Sequence, residues 1–276
     1  MANISARAEG LQYSPIRKLY KYAREVEKRG IRVLYLNIGQ PDLPPHPSIL
    51  EKLKEEKIDV IDYTPSEGLS VLRQLLAGYY SNFCEWISEK DIIVCCGGSE
   101  AIYFSFAAIT NPGDNLLLFE PFYPNYRSIA TMLGVNLKVI PLNFEDNFSI
   151  PPVSSLENNI DSQTKGIILC NPSNPTGRVF RENEILKILE IAEKHDLWVI
   201  CDEAYREYVY EGLPASILSF SKYRERVILI DSFSKRFCLC GTRVGMLVSA
   251  NKKIIDAVER MAQARLSPPL LGQLLA

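Results

Sequence analysis

Histidine and closely spaced cysteine are scarce in this chain. Its 276 residues hold two histidines, His46 and His195, and the tightest non-adjacent cysteine pair is Cys238-Leu-Cys240. One intervening residue falls short of the usual zinc-ligand spacing, so a metal site is not expected. The seven cysteines are odd in number, and Cys95, Cys96, Cys170 and Cys201 sit inside apolar runs. They read as small buried hydrophobes of a reducing compartment, not as a disulfide framework. Long hydrophobic runs are missing too. The longest have four to eight residues, whereas a membrane-spanning helix takes about 20. Basic charge does not dominate: 31 Lys and Arg stand against 33 Asp and Glu, interspersed along the chain. No basic stripe therefore points to nucleic acid. The start, Met1-Ala-Asn-Ile-Ser-Ala-Arg7, lacks the basic region and apolar stretch of a secretory leader, and a cytoplasmic location is expected.

What the sequence does have is regular alternation. Short β-rich runs occur at Ile92–Cys96, Asn115–Phe119, Leu137–Pro141, Gly166–Cys170, Leu197–Cys201, Arg226–Ile230 and Val244–Val248. Helix-periodic segments lie between several of them: Ser99–Thr110, Pro124–Gly134 and Arg181–His195. This order predicts an α/β fold, a three-layer α/β/α sandwich around a mainly parallel seven-stranded sheet. The runs are continuously apolar, as expected of strands buried on both faces. Ahead of them, Ser14–Gly30 reads as one amphipathic helix, Val33–Leu36 as an extended piece, and Pro47–Glu56 and Leu69–Phe83 as helices. The tail reads as a helix over Asn251–Ala264 and, after Ser267-Pro-Pro269, a second helix from Leu271. The length suffices for a substantial core in one large domain or two small ones.

In sheets of this kind ligands bind beyond the carboxyl ends of the strands. Four chemically suggestive segments fall there: Cys96-Gly-Gly98-Ser99, Asn171-Pro-Ser-Asn174-Pro-Thr-Gly177, Asp202-Glu-Ala-Tyr205 and Ser232-Phe-Ser234-Lys235. Eight residues after Lys235 comes Arg243. An amine that forms a Schiff base must be deprotonated at neutral pH, and burial beside a cation favours that. Two serine hydroxyls and a forked guanidinium suit a phosphate monoester. Amine and phosphate cradle together suggest pyridoxal phosphate. Gly97-Gly98-Ser99 opening a helix offers free N–H groups to an anion, although it serves equally as a plain N-cap. Asp202 ends an apolar strand, where a carboxylate must be paired or solvated, unless it simply caps the next segment. Tyr205 also fits an ordinary core position. Two prolines fix the turn around Asn174, either for shape alone or to aim its side chain. Gly39, in Asn37-Ile-Gly-Gln-Pro-Asp42, reads equally well as a turn glycine.

Together, in this order and spacing, the motifs resemble the class I and II aminotransferases, fold-type-I enzymes dependent on pyridoxal 5'-phosphate, of the aspartate aminotransferase kind. The resemblance runs from about Ser14 to the last residue. It implies that Lys235 carries the cofactor as a Schiff base and shuttles a proton at the substrate α-carbon. Asp202 would face the pyridine nitrogen, Tyr205 and Asn174 the ring oxygen, and Tyr123 the ring face. Gly98, Ser99, Ser232, Ser234 and Arg243 would hold the phosphate. Tyr63 would reach the cofactor of a neighbouring subunit, making a homodimer with shared sites, and Gly39 with Asn174 would adjoin the substrate. Amino acids and 2-oxo acids are the implied substrates. Residues 1–46 would form an arm and part of a small domain, and 47–276 the cofactor-binding domain. The family also carries a C-terminal small domain whose arginine binds the substrate carboxylate, and no such arginine is assignable here. Arg265 lies near Pro268-Pro269 but not clearly in register with the arginine of acidic-substrate members, so no acidic substrate is assigned. A lyase or synthase of the same fold, or a non-catalytic cofactor-binding module, are the other readings.

Overall fold

The structure is a computed structural model that describes residues 2–55, 58–212 and 214–276. Helices α1 (Ala6–Gly10), α2 (Pro15–Lys18), α3 (Tyr20–Glu27), α4 (Pro47–Glu55) and α5 (Ser70–Tyr80) come first. They lead into β1 (Ile92–Cys95), α6 (Gly98–Ile109), β2 (Asn115–Glu120), α7 (Asn125–Leu133) and β3 (Asn136–Pro141). Next are α8 (Val153–Glu157), β4 (Thr164–Cys170), α9 (Glu182–Lys194), β5 (Trp198–Asp202) and β6 (Val227–Ser232). The chain continues through α10 (Phe233–Arg236), β7 (Gly245–Val248), α11 (Lys252–Arg265) and α12 (Leu270–Leu275).

All seven expected strands form one sheet, in the order β1-β7-β6-β5-β4-β2-β3. Pairings among β2 to β6 are parallel, while β7 is antiparallel to both β1 and β6. A single strand, β7, is thus reversed. The reversal matters for the site: the start of β7, not its end, lies at the carboxyl edge, where Gly245 pairs with Cys95 and Ser232. Arg243, two residues earlier, is delivered to the same edge as Lys235.

Alternate strand residues feed two separate cores, the period-2 consequence of a pleated strand. Val94, Leu117, Ile167, Val199 and Leu229 face one way and pack with α5 and α9 through Leu76, Tyr80, Ile188 and Leu189. Ile93, Leu118, Ile168, Ile200 and Ile228 face the other and pack with α6, α7 and α11 through Phe106, Ile129 and Val258. The three-layer expectation holds.

The amino-terminal part departs from expectation. The helix read over Ser14–Gly30 is split into α2 and α3. Leu19 keeps right-handed helical dihedrals (φ −79°, ψ −12°), so the axis loosens there without turning away. Val33–Leu36 pairs with no strand. The Pro47–Glu56 helix ends at Glu55, and Glu56 lies outside the described residues. Among the described residues none before Gly68 is buried.

At Gly245 the sheet and α6 meet so closely that a Cβ would strike the backbone of Gly97 and Gly98. No flexible side chain stands there to yield. Gly245→Ala is therefore expected to lose about 1–3 kcal/mol of stability, read from urea unfolding midpoints at unchanged m-value.

Candidate active site

The strand ends enclose a cleft of about 910 Å³. Gly39, Gly98, Ser99, Tyr123, Asn174, Asp202, Tyr205, Ser232, Ser234, Lys235 and Arg243 all line it. Eleven of the twelve residues singled out from the sequence thus converge. The twelfth, Tyr63, is 78% exposed and stands outside this cleft.

Lys235 is held at the mouth of β6 by local geometry. Ser232 caps α10 by accepting the Ser234 N–H at 3.1 Å, and its hydroxyl donates to Ser234 Oγ at 2.9 Å. The turn brings Lys235 Nζ to the Gly39 carbonyl, which accepts its hydrogen bond, and 5.8 Å from the Tyr205 ring centre. Tyr208 Oη donates to the Lys235 carbonyl at 2.9 Å and pins the backbone from behind. Gly39 is no mere turn glycine: a Cβ there would lie 2.7 Å from the Tyr205 hydroxyl.

One end of the cleft is ready for an anion. The first two N–H groups of α6, those of Gly98 and Ser99, have no partner among the described residues. Free donors at a helix start attract negative charge. Arg243, in a left-handed conformation (φ 56°, ψ 48°), lays its guanidinium over this helix start. It donates only to the carbonyls of Cys240 (3.3 Å) and Cys96 (3.4 Å), with no carboxylate partner among the described residues. Gly97, at φ +82°, leaves room for it, since a Cβ there would strike the guanidinium.

At the other end stands Asp202, 6% exposed. Its Oδ2 accepts from Tyr126 Oη at 2.8 Å and its Oδ1 from the Ala204 N–H at 3.2 Å. Burial pushes its pKa up, while the Tyr126 and Ala204 hydrogen bonds pull it down. The Ala204 contact shows that Asp202 does cap the turn after β5, with one oxygen only. Burial, with the nearby Asp202 carboxylate, pushes Tyr205 up to about 12. Tyr123 Oη accepts from Asn125 Nδ2 at 2.9 Å, and its ring stands at 89° to Tyr126. Asn171 clamps the Asn174 turn, donating to the Phe180 carbonyl at 3.1 Å and accepting the Phe180 N–H at 2.8 Å. The Asn174 amide has no hydrogen-bond partner among the described residues.

The sequence reading passed over two groups at the site, Tyr126 behind Asp202 and Arg17 in the cleft wall. Tyr126, in the first turn of α7, comes three residues after Tyr123, which precedes that helix; the Tyr126 N–H donates to the Tyr123 carbonyl at 3.1 Å, and the aromatic pair three apart was the available signal. Arg17, on α2, also lines the cleft and has no ion-pair partner among the described residues. Arg265 turns inward: Nη2 donates to the Ser66 (3.1 Å) and Val94 (3.2 Å) carbonyls, and Nε lies 3.4 Å from Glu100. It is occupied structurally and does not face the cleft.

A model of the family "Aminotransferase class I and II" matches residues 31–276. The aspartate aminotransferase of Sulfurisphaera tokodaii is 36% identical over 255 residues, covering 91% of this chain and 64% of that protein. The (5-formylfuran-3-yl)methyl phosphate transaminase of Methanocaldococcus jannaschii is 32% identical over 276 residues, 99% of this chain and 71% of its own. Among solved structures, alanine aminotransferase from Pyrococcus furiosus superposes with TM-score 0.91 at 30% identity, over 99% of this chain and 71% of that one. The chain thus spans 64% of the Sulfurisphaera protein's length, under two thirds.

Tyr126→Phe deletes the hydroxyl that holds Asp202 down, so the Asp202 pKa should rise by about 1–2 units, the equivalent of one hydrogen bond to a charged group. Because the folded pKa already exceeds the ordinary value, ionised Asp202 costs stability above it. The variant should therefore lose more stability at pH 7 than at acid pH. A carboxyl-carbon NMR titration of Asp202 checks the shift, and an unchanged midpoint contradicts it.

Proposed function

We propose that this chain, which belongs to the class I and II aminotransferase family, binds pyridoxal 5'-phosphate in the cleft and moves amino groups between an amino acid and a 2-oxo acid. The observation that carries the reading is the donor set itself. An amine, a buried carboxylate and an unpaired guanidinium beside free helix N–H groups are arranged around one cleft. A phosphorylated pyridine aldehyde presents the matching partners: an aldehyde, a ring nitrogen and a dianion.

When bound, the cofactor supplies an aldehyde that condenses with amines and a ring that accepts the electron pair left when an α-proton departs. The residues do the rest. Arg243, Ser99, Ser232, Ser234 and the Gly98 N–H hold the phosphate by charge-assisted hydrogen bonds. Asp202, whose carboxylate form is favoured by the Tyr126 hydrogen bond, would hold a proton on the ring nitrogen. Tyr205 and Asn174 donate to the ring oxygen, and Tyr123 covers the ring face. Lys235 would supply the attaching amine, and its free amine would move the proton at the substrate α-carbon. The Gly39 carbonyl beside Lys235 Nζ orients that amine.

The exposed Tyr63 supports a second copy, whose cleft it would enter. The boundary after residue 46 is supported by α4, which packs on α12 and places Ile49 against the core. No described helix is long and apolar enough to cross a membrane.

Titrating the chain with pyridoxal phosphate should give a visible band, and borohydride should bleach it while fixing the label on Lys235. Lys235→Ala should remove both band and label. Asp202→Ala should weaken cofactor affinity about 10- to 150-fold, the loss of one charged hydrogen bond. A label on another lysine, or normal affinity in Asp202→Ala, contradicts the assignment.

A further inference from the structure

Behind the cleft lies a second group of charged side chains that the reaction does not use. Glu203 and Asp231 are 0% exposed and Arg206 is 1% exposed. Arg206 Nη1 donates to Glu203 Oε2 at 2.6 Å, and its Nη2 donates to Asp231 Oδ2. Arg236 Nη2 donates to the same Asp231 oxygen. Glu203 also accepts from Ser216 Oγ at 2.9 Å and the Ile217 N–H at 2.7 Å. Asp231 accepts from Tyr80 Oη at 2.9 Å and the Ser232 N–H at 2.7 Å. Two carboxylates and two guanidiniums make a neutral, almost fully buried chain.

Its position in the sequence is the telling point. Each member is the immediate neighbour of a cleft residue: Glu203 of Asp202, Arg206 of Tyr205, Asp231 of Ser232, and Arg236 of Lys235. At each pair the backbone sends one side chain into the cleft and the other into the charged chain. Glu203 and Arg206 follow β5, whereas Asp231 and Arg236 flank the end of β6. The Arg206–Asp231 ion pair therefore ties the two strand ends together from behind, with Glu203 and Arg236 holding its two members.

A buried ion pair is weak evidence of stability, because desolvation cancels most of its attraction. Its demands on geometry are strict, since a forked guanidinium satisfies a carboxylate in few orientations. We propose that Glu203, Arg206, Asp231 and Arg236 are positioning residues that fix Lys235 against Asp202 and set the local charge at the Lys235 amine. This rests on the proposed cofactor chemistry at Lys235. Charge from this chain does reach the cleft: Asp231 is among the groups that push Asp202 upward, after the dominant effect of burial. From the cleft side, the titratable and charged groups that line the cleft with Lys235 are Asp202, Tyr205, Tyr123, Tyr20, Arg17, Arg243 and the thiols of Cys170 and Cys240. None of these changes in the variants below.

The test loads the full chain with pyridoxal 5'-phosphate and follows two readouts besides turnover. One is the rate of borohydride-trapped labelling at Lys235, and the other is the pH midpoint of the visible band. Arg236→Met removes a cation and leaves Asp231 with less compensation, so the midpoint should move up by about one unit. Labelling should slow about 10- to 100-fold, as for a remote change that displaces a reacting group. Glu203→Gln removes an anion and should move the midpoint down. Arg236→Lys keeps the charge but loses the fork, so labelling should slow while the midpoint holds. That last variant carries the proposal if Arg236→Met does not fold.

Opposite midpoint shifts in Arg236→Met and Glu203→Gln support the role, since a merely structural part would not produce opposite signs. If the unmodified chain labels at Lys235 while the folded variants label and titrate like it, the positioning role is overturned and the cofactor assignment stands. If the unmodified chain takes no label at Lys235, both are overturned.

Discussion

Asp231 is the carboxylate on which the site and the fold both depend. It has no exposed surface, and four donors from four places meet it: Tyr80 of α5, Arg206 after β5, Arg236 of α10 and the Ser232 N–H. A buried carboxylate tolerates no loose arrangement, because each lost partner leaves uncompensated charge in a medium that cannot solvate it. The consequence reaches the cleft through one peptide. Ser232, fixed beside Asp231, caps the turn that carries Lys235. The same constraint that closes the core behind β6 thus aims the amine in front of it.

The second constraint is steric. β7 runs against its neighbours, which brings Arg243 to the edge where the other strands end. Gly245 and Gly97 let that edge close: one lies against the backbone at the start of α6, the other beneath the Arg243 guanidinium. Gly39 repeats the device at the far side, admitting the Tyr205 hydroxyl. Three glycines at close approaches bring the amine, the cation and the helix start around one cleft.

Much of this was legible in the sequence, for identifiable reasons. Apart from the edge strand β3, which is largely half-exposed, the strands stood out because they are buried on both faces, which makes an apolar run of five or so residues hard to mistake. Their ends did not, since Glu120, Asp202 and Ser232 are polar yet still extended at the last pairing position. The five-residue α8 was invisible because so short a helix shows no periodicity. Lys235, Asp202, Asn174 and Arg243 were found through motifs placed at strand ends, and all four line the cleft. Tyr126 and the chain of Glu203, Arg206, Asp231 and Arg236 escaped notice, because their meaning lies in contacts between distant segments. The available signal was a charged residue abutting each apolar strand run, which demands a partner that the sequence alone does not name.

The central claim is that the amine of Lys235, the carboxylate of Asp202 and the guanidinium of Arg243 form one cofactor site. A crystal structure of the chain grown with pyridoxal phosphate tests it most directly. The account predicts continuous density from Lys235 Nζ to the cofactor, with the ring nitrogen about 2.7–2.9 Å from an Asp202 oxygen. The phosphate should lie among Arg243, Ser99, Ser232, Ser234 and the Gly98 N–H. Density attached to another lysine, or a phosphate away from the start of α6, would contradict it.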